Sequence, residues 1–279
     1  MKLEHHLLRL GRAIHRRSLH FSDKFFSGEV CPACGKAADI VMRGVLWPEL
    51  VLQWELNPAW ANWIDQREGL RCACCRSNLR SRQLAQSIVI AMNSCLGTNS
   101  KTLAELVSNT KFQKLNVAEI NAAGDLHPIL KSLPLLRYSE FGSTNPDIPS
   151  ENLLNLSYPD HSFDLAITSD VLEHVPDVER ALSEIRRVLK PNGLHIFSVP
   201  LVWNKAHSRR RAEIINGALT HWLPASHHGA VGQGKNDFLV FNEFGRDFVQ
   251  LCEKTGFNIS LNKDQRNPSL ICFTAQRKD

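Results

Sequence analysis

The sequence predicts an α/β fold, a mostly parallel sheet covered by helices on both faces, with a small cysteine knuckle ahead of it. Three observations carry this expectation. From about residue 110 onward, apolar strand candidates alternate with helical stretches, the pattern left by parallel strands joined through crossover helices. Two Cys-x-x-Cys pairs precede that region. The chain has 279 residues, 43% hydrophobic and 22% charged, enough for one α/β domain plus an appendage.

The strand candidates are Leu115–Ile120, Leu135–Glu140, Phe163–Thr168, Leu194–Val199, Phe257–Leu261 and Leu270–Thr274. The clearest helix runs from Asp177 to Leu189. Asp177 can cap it, Val178, Leu182, Ile185 and Leu189 form one apolar stripe, and Pro191-Asn192-Gly193 stops it. A second helix is expected near Glu243–Lys254, ending at Gly256. Residues 201–240 show little periodicity, and an irregular segment of that length is usually a functional loop or lid. The expected division is therefore residues 1–28, a basic amphipathic helix and linker, then 29–100, the knuckle, a Trp-rich insert and a following helix, then 101–279, the main domain.

Charge is uneven. Of a net +5, most lies in residues 1–20, where Lys2, Arg9, Arg12, Arg16 and Arg17 face Glu4 alone. Leu3, Leu7, Leu10 and Ile14 recur at helical spacing there. Such a helix can touch RNA or an anionic membrane, but a solvated helix lying against the domain is the favoured reading. Apolar runs such as Leu194–Val202 fall far short of the ~20 residues of a membrane span. Without a secretory signal, a cytoplasmic location is expected, where thiols stay reduced.

Eight cysteines in such a compartment argue for metal rather than disulfides. Cys31-Pro-Ala-Cys34-Gly and Cys72-Ala-Cys74-Cys75 each present two thiols on a tight turn, and two such turns make a tetrahedral site suited to structural zinc. Cys31, Cys34, Cys72 and Cys75 are the expected ligands, with Cys74 an alternative in the second turn. The 37 residues between the pairs exceed the roughly 15–20 of a small ribbon. They include Trp47, Trp54, Trp60 and Trp63, the makings of a small packed insert. Cys95, Cys252 and Cys272 read as core. Arg71, Arg76, Arg80 and Arg82 around the second turn suit either a nucleic-acid patch or simple packing of their stems.

The segment Lys114-Leu-Asn-Val-Ala-Glu119-Ile-Asn-Ala-Ala-Gly124-Asp reads as strand, turn and helix. It lacks the several glycines and the lysine of a phosphate cradle, which disfavours a nicotinamide cofactor. Glu140 follows Glu119 by 21 residues, near the ~20-residue offset at which a Rossmann-type carboxylate meets ribose hydroxyls. Further on come Phe163-Asp-Leu-Ala-Ile-Thr-Ser-Asp170-Val-Leu-Glu173-His174-Val-Pro and Ala181-Leu-Ser-Glu-Ile-Arg-Arg-Val-Leu-Lys-Pro-Asn-Gly193-Leu-His-Ile-Phe-Ser-Val-Pro200.

This run resembles the class I S-adenosylmethionine-dependent methyltransferases, in particular the group called methyltransferase type 11. Weaker similarity extends from Leu115 to the C-terminus. Arg67-Glu68-Gly69 and the cysteine turns look like the zinc-ribbon extension that some of these enzymes carry. The resemblance implies a Rossmann-like doubly wound sheet with an antiparallel C-terminal strand, and S-adenosylmethionine as cofactor. It also implies that Glu119, Asn121 and Gly124 hold the methionine end, that Glu140 takes the ribose, and that Asn152 and Leu153 flank the adenine. Asp170 would face the sulfonium and the substrate. The family's glycine-rich turn stands here as Asn-Ala-Ala-Gly, and its acid near the adenine as Asn152.

A hydroxyl or amine acceptor would need a base. His174 and His228 are the candidates of choice, with His207, His221 and His227 as alternatives; Glu173-His174 could equally support the loop. Arg209-Arg210-Arg211 could clamp an anionic acceptor or lie on a solvated face. A small-molecule or glycan-like acceptor is expected ahead of RNA, and a catalytically silent scaffold is the third possibility.

Overall fold

A computed structural model describes residues 30–37, 39–228 and 238–279. The expected basic helix of residues 1–28 lies outside the described residues. The first elements are β1 (Ile40–Met42), α1 (Pro48–Gln53), α2 (Pro58–Gly69) and β2 (Leu70–Cys72). Next come α3 (Leu79–Leu96) and α4 (Leu103–Val107). The sheet region runs β3 (Val117–Ile120), α5 (His127–Leu130), β4 (Leu136–Ser139), β5 (Phe163–Ser169), α6 (Val178–Val188) and β6 (Leu189–Ser198). Three short strands follow, β7 (Arg209–Arg210), β8 (Ala212–Ile215) and β9 (Ala218–His221), and then β10 (Asn242–Glu243), α7 (Phe248–Lys254), β11 (Phe257–Lys263) and β12 (Ile271–Arg277).

The main sheet has six strands in the order β11-β12-β6-β5-β3-β4. β4, β3, β5 and β6 pair in parallel, and β12 runs antiparallel to both its neighbours. The expected doubly wound sheet with an antiparallel C-terminal strand is therefore present. Its inner strands β3 and β5 are buried almost throughout because both faces are covered. Val117, Leu165, Ile167, Leu194 and Ile196 point to one side, where Leu84 and Ile88 of α3 and Leu103 and Leu106 of α4 cover them. Ala118, Ile120, Ala166 and Phe197 point to the other, under Ala181, Leu182 and Ile185 of α6 and Phe248 of α7. The strand period of two sorts each segment between two cores.

Asp177 caps α6, accepting from the Arg180 amide at 2.9 Å. Pro191-Asn192-Gly193 does more than stop that helix. β6 pairs Leu189 with Phe163 and then Leu194 with Leu165, so the tripeptide forms a bulge within the strand, with Asn192 at φ 61°. The helix expected over Glu243–Lys254 begins only at Phe248, because Glu243 pairs with Arg209 in a short antiparallel ladder. The segment 201–240 is also less irregular than expected, since β8 and β9 form a hairpin within it.

Two corrections concern single residues. Cys95 is exposed, whereas Cys252 and Cys272 are buried. The arginine run is neither an open clamp nor a helix face. Arg211 and Arg209 both pair with the buried Glu243 carboxylate, Arg209 also reaches Glu55 at 3.0 Å, and Lys205 lies 3.6 Å from Glu243.

The Trp-rich insert is tied to the main sheet's loops. Trp54 and Trp60 are buried with Leu50, Val202 and Val240, and the Trp54 indole donates to Ser226 Oγ at 3.1 Å. Trp47, by contrast, is exposed. Among the described residues no helix is long and apolar enough to cross a membrane.

Phe197 stacks on Phe273 at 4.9 Å and meets Phe248 edge-on. Phe197→Ala should cost about 3–5 kcal/mol in urea unfolding followed by circular dichroism; a loss below about 1 kcal/mol would show that this ring is not integral to the core.

Candidate active site

The strand order reverses between β3 and β5, because the chain goes from β3 out to β4 and returns on the other side of β3. A crevice opens at such a switch point, beyond the carboxyl ends of the strands. The turn after β3 and the residues after β5 border it.

Glu119, the third residue of β3, is fully buried. Its carboxylate accepts from the Ala123 amide at 2.8 Å and contacts His127 Nδ1 at 2.7 Å. Burial pushes this carboxyl above its ordinary range, opposed by those two contacts. Both oxygens are thus engaged in shaping the turn. Asn121 has φ 55° and accepts from the Phe141 amide at 2.7 Å, which binds this turn to the end of β4.

Gly124 has φ 57°, and a Cβ there would lie 2.6 Å from Ser81 Oγ and 3.4 Å from Arg80 Nη1. Only glycine suits that backbone and that spacing. Glu140 is half-buried and accepts from the Tyr138 hydroxyl; the Tyr138 ring lies 4.0 Å from that of His127. Asn152 is exposed and accepts from the Leu154 amide at 2.9 Å, while Leu153 is buried.

Asp170 follows β5 directly, in the left-handed region at φ 50°. Arg67 grips its carboxylate with two parallel hydrogen bonds of 2.7 and 2.8 Å. Ser198 Oγ donates at 2.7 Å, and Arg80 Nε stands 3.3 Å away. Burial alone would raise this carboxyl, yet the two guanidinium charges and the bonds from Arg67 and Ser198 hold it well below the usual carboxylate range. Arg80 also pairs with Glu68 at 3.0 Å and donates to Ser169 Oγ.

Neither Arg67 nor Arg80 stood out in the sequence as part of this site. The available signal was position: Arg67-Glu68 directly precedes the second cysteine turn, and Arg80 begins the helix after it. Their neighbours extend the same bridge. Arg71 pairs with Asp125 at 3.2 Å, and Asp125 Oδ2 accepts from the Asn78 amide at 3.1 Å. The turn after β3 is thereby fastened to the start of α3.

The cysteine turns lie beside this bridge. The amides of Gly35 and Arg76 donate to the carbonyls of Cys31 and Cys72 at 2.8 and 2.9 Å, and both residues have positive φ, 75° and 68°. Cys31, Cys34, Cys72 and Cys75 converge, with Cys31–Cys75 and Cys34–Cys72 sulfur separations of 3.8 and 3.9 Å. Cys74 is exposed and outside the cluster. Four thiolates about 2.3 Å from one tetrahedral zinc would stand about 3.8 Å apart.

The loop after β5 carries Glu173 and His174, and His228 approaches them from a distant segment of the chain. Glu173 is fully buried; burial and then the Asp170 charge push its carboxyl well up. Burial draws His174 down and takes His228 to about 3. The two imidazoles are 4.9 Å apart. His207 and His221 are exposed, and His227 is half-buried.

Residues 131–197 match the family described as methyltransferase domain. The "Sterol methyltransferase-like 1" of Botryococcus braunii is 27% identical over 84% of the chain and 54% of its own length. The mitochondrial "Arginine-hydroxylase NDUFAF5" of Rattus norvegicus is 41% identical over 19% of the chain and 17% of its own length. The chain thus spans about half the first of these relatives and less of the second. Among solved structures, 1,6-didemethyltoxoflavin-N1-methyltransferase of Burkholderia thailandensis is 15% identical, covering 87% of this chain and 95% of that one, with a TM-score of 0.42. The family match takes in β4, β5, α6 and most of β6, about a quarter of the chain, and includes the strand that leads into Asp170.

Asp170 ionises more readily folded than unfolded. Its contribution to stability is complete above the unfolded value of about 3.9 and is lost as pH falls through the lower folded value. Arg67→Met should therefore cost about 3–5 kcal/mol near neutrality, by stranding a buried charge. Urea unfolding at stepped pH should show that deficit shrinking below about pH 4; a deficit independent of pH would separate Asp170 from the ion pair.

Proposed function

We propose that this chain transfers a methyl group from S-adenosylmethionine to a small-molecule or glycan-like acceptor in the crevice beyond β3 and β5. The observation that carries this reading is the set of groups around Gly124 and Asp170. The half-buried Glu140 just beyond β4 suits a ribose, and Gly124, at φ 57°, leaves the backbone of the turn after β3 bare of a side chain. When bound, S-adenosylmethionine supplies a methyl group on an already activated sulfonium. The chain's own residues then need chiefly to position the partners and exclude water.

In this reading Glu119 fixes the turn rather than touching the cofactor. Asn121 and Gly124 give the turn its shape. Asn152 and Leu153 border the adenine, and Asp170 fixes the loop that faces the acceptor. His174 and His228 are the catalytic candidates on that loop's side.

The occupied arginines favour a small acceptor over RNA. Arg71 and Arg80 are paired to carboxylates and Arg82 is buried, which leaves Arg76 as the exposed member of the four. RNA recognition needs a basic surface free to neutralise phosphates. The four-cysteine cluster is read as a structural zinc site, since four protein sulfurs leave no position for water. A cytoplasmic setting, where thiols stay reduced, suits it.

Calorimetry with S-adenosylhomocysteine should detect binding, weakened about 10- to 100-fold in Glu140→Ala by loss of charged hydrogen bonds. An absence of heat at millimolar ligand would overturn the enzyme reading. Cys34→Ser should release about one equivalent of zinc from the purified chain; an unchanged zinc content would overturn the knuckle assignment.

A further inference from the structure

Glu173 poses a problem that the proposed methyl-transfer site does not solve. It lies immediately beyond the loop of Asp170, fully buried, and neither carboxylate oxygen has a hydrogen-bond partner among the described residues. A carboxyl group in such a place ordinarily finds a hydrogen-bond partner or a cation, because leaving it bare is unfavourable. Arg67 and Arg80, the nearby cations, are committed to Asp170 and Glu68. Glu173 instead faces two imidazoles.

The imidazoles are arranged as ligands are. His174 Nδ1 lies 3.1 Å from the Leu239 carbonyl, so that nitrogen carries the proton. The lone pair is then on Nε2, which stands 3.6 Å from Glu173 Oε1. A ring nitrogen fixed by a backbone carbonyl, with the other nitrogen free, is the orientation common to metal-bound histidines. His228 Nε2 is buried and likewise has no partner among the described residues. Trp54, at 5.5 Å, stands against the His228 ring. One donor atom from each of Glu173, His174 and His228 lies within 4.8 Å of the others.

We propose that Glu173, His174 and His228 bind a divalent first-row transition ion such as zinc, in a second site distinct from the four-cysteine cluster. Two imidazoles and one carboxylate form a donor set used by open metal centres, in contrast to the closed four-sulfur set of a structural site. Three protein ligands leave at least one position for water or a substrate oxygen. The ion would give the unpaired Glu173 oxygens and His228 Nε2 a partner at once.

The binding claim stands without the methyl-transfer reading, but a role in catalysis rests on it. On that reading the acceptor is a hydroxyl compound whose oxygen takes the open position. Coordination acidifies the hydroxyl and its proton passes to water. The oxygen forms the new bond to the methyl carbon as the carbon–sulfur bond breaks, its electron pair staying on sulfur.

The test uses the full chain with its cysteine cluster filled by zinc. Titration with cobalt(II) should then add about one further equivalent, with visible d–d bands and none of the intense thiolate charge-transfer absorption. In His228→Ala and Glu173→Gln, that equivalent should bind at least about 100-fold more weakly. Near-ultraviolet circular dichroism reports whether the variants keep their fold, and should a variant unfold, the wild-type stoichiometry and spectrum decide alone. A wild-type chain that takes up no cobalt beyond the cysteine site overturns the proposal, as does a second equivalent that both folded variants retain. S-adenosylhomocysteine calorimetry on the same samples separates the two ideas: cobalt bound without cofactor binding leaves the metal site standing and removes methyl transfer, whereas the reverse removes the metal site alone.

Discussion

The constraint on which the site depends is the pairing of Asp170 with Arg67 and Arg80. Asp170 sits at the tip of a central strand in a left-handed conformation, a backbone state that a non-glycine residue holds only when its surroundings fix it. The paired bonds from Arg67 supply that fixation, and Ser198 completes it from the next strand. Both arginines come from segments before the sheet. The crevice is therefore shaped as much by α2 and α3 as by the strands that border it. Breaking one partner would leave a buried charge, so the arrangement is strongly coupled: its members hold their positions together.

Much of the sheet was legible in the sequence because local and global signals agreed there. Val178, Leu182 and Ile185 form one helical stripe, Asp177 caps it, and the flanking strands carry apolar runs such as Leu165–Ile167. The short ladder of Arg209–Arg210 with Asn242–Glu243 was not legible, since its pairing is set by a buried carboxylate meeting cations from 32 and 34 residues away. Periodicity carries no trace of such a partner. The same holds for Pro191-Asn192-Gly193, which reads as a helix stop and serves also as a bulge inside a strand.

The site was legible in its positions and less so in its roles. Glu119, Gly124, Glu140 and Asp170 do fall at or beside the strand ends expected of them. What the chain pattern could not give was the partner of each. Glu119 turned out to be spent on Ala123 and His127, and Arg80 occupies the space near Gly124. Cys95 was misjudged for a related reason: apolar neighbours along α3 do not tell which way one side chain on that helix points.

Helix α3 connects the parts of the chain. Its N-cap, Asn78, stands three residues after Cys75, and its side chain receives the Ser81 amide at 2.8 Å. Its middle, through Leu84 and Ile88, lies on the same face of the sheet as Leu194 and Ile196. A protein trimmed to begin near residue 100 would lose much of the cover on one side of its strands along with Arg67 and Arg80. Grafting the cysteine turns or the sheet onto a foreign partner would therefore mean redesigning the surface between them.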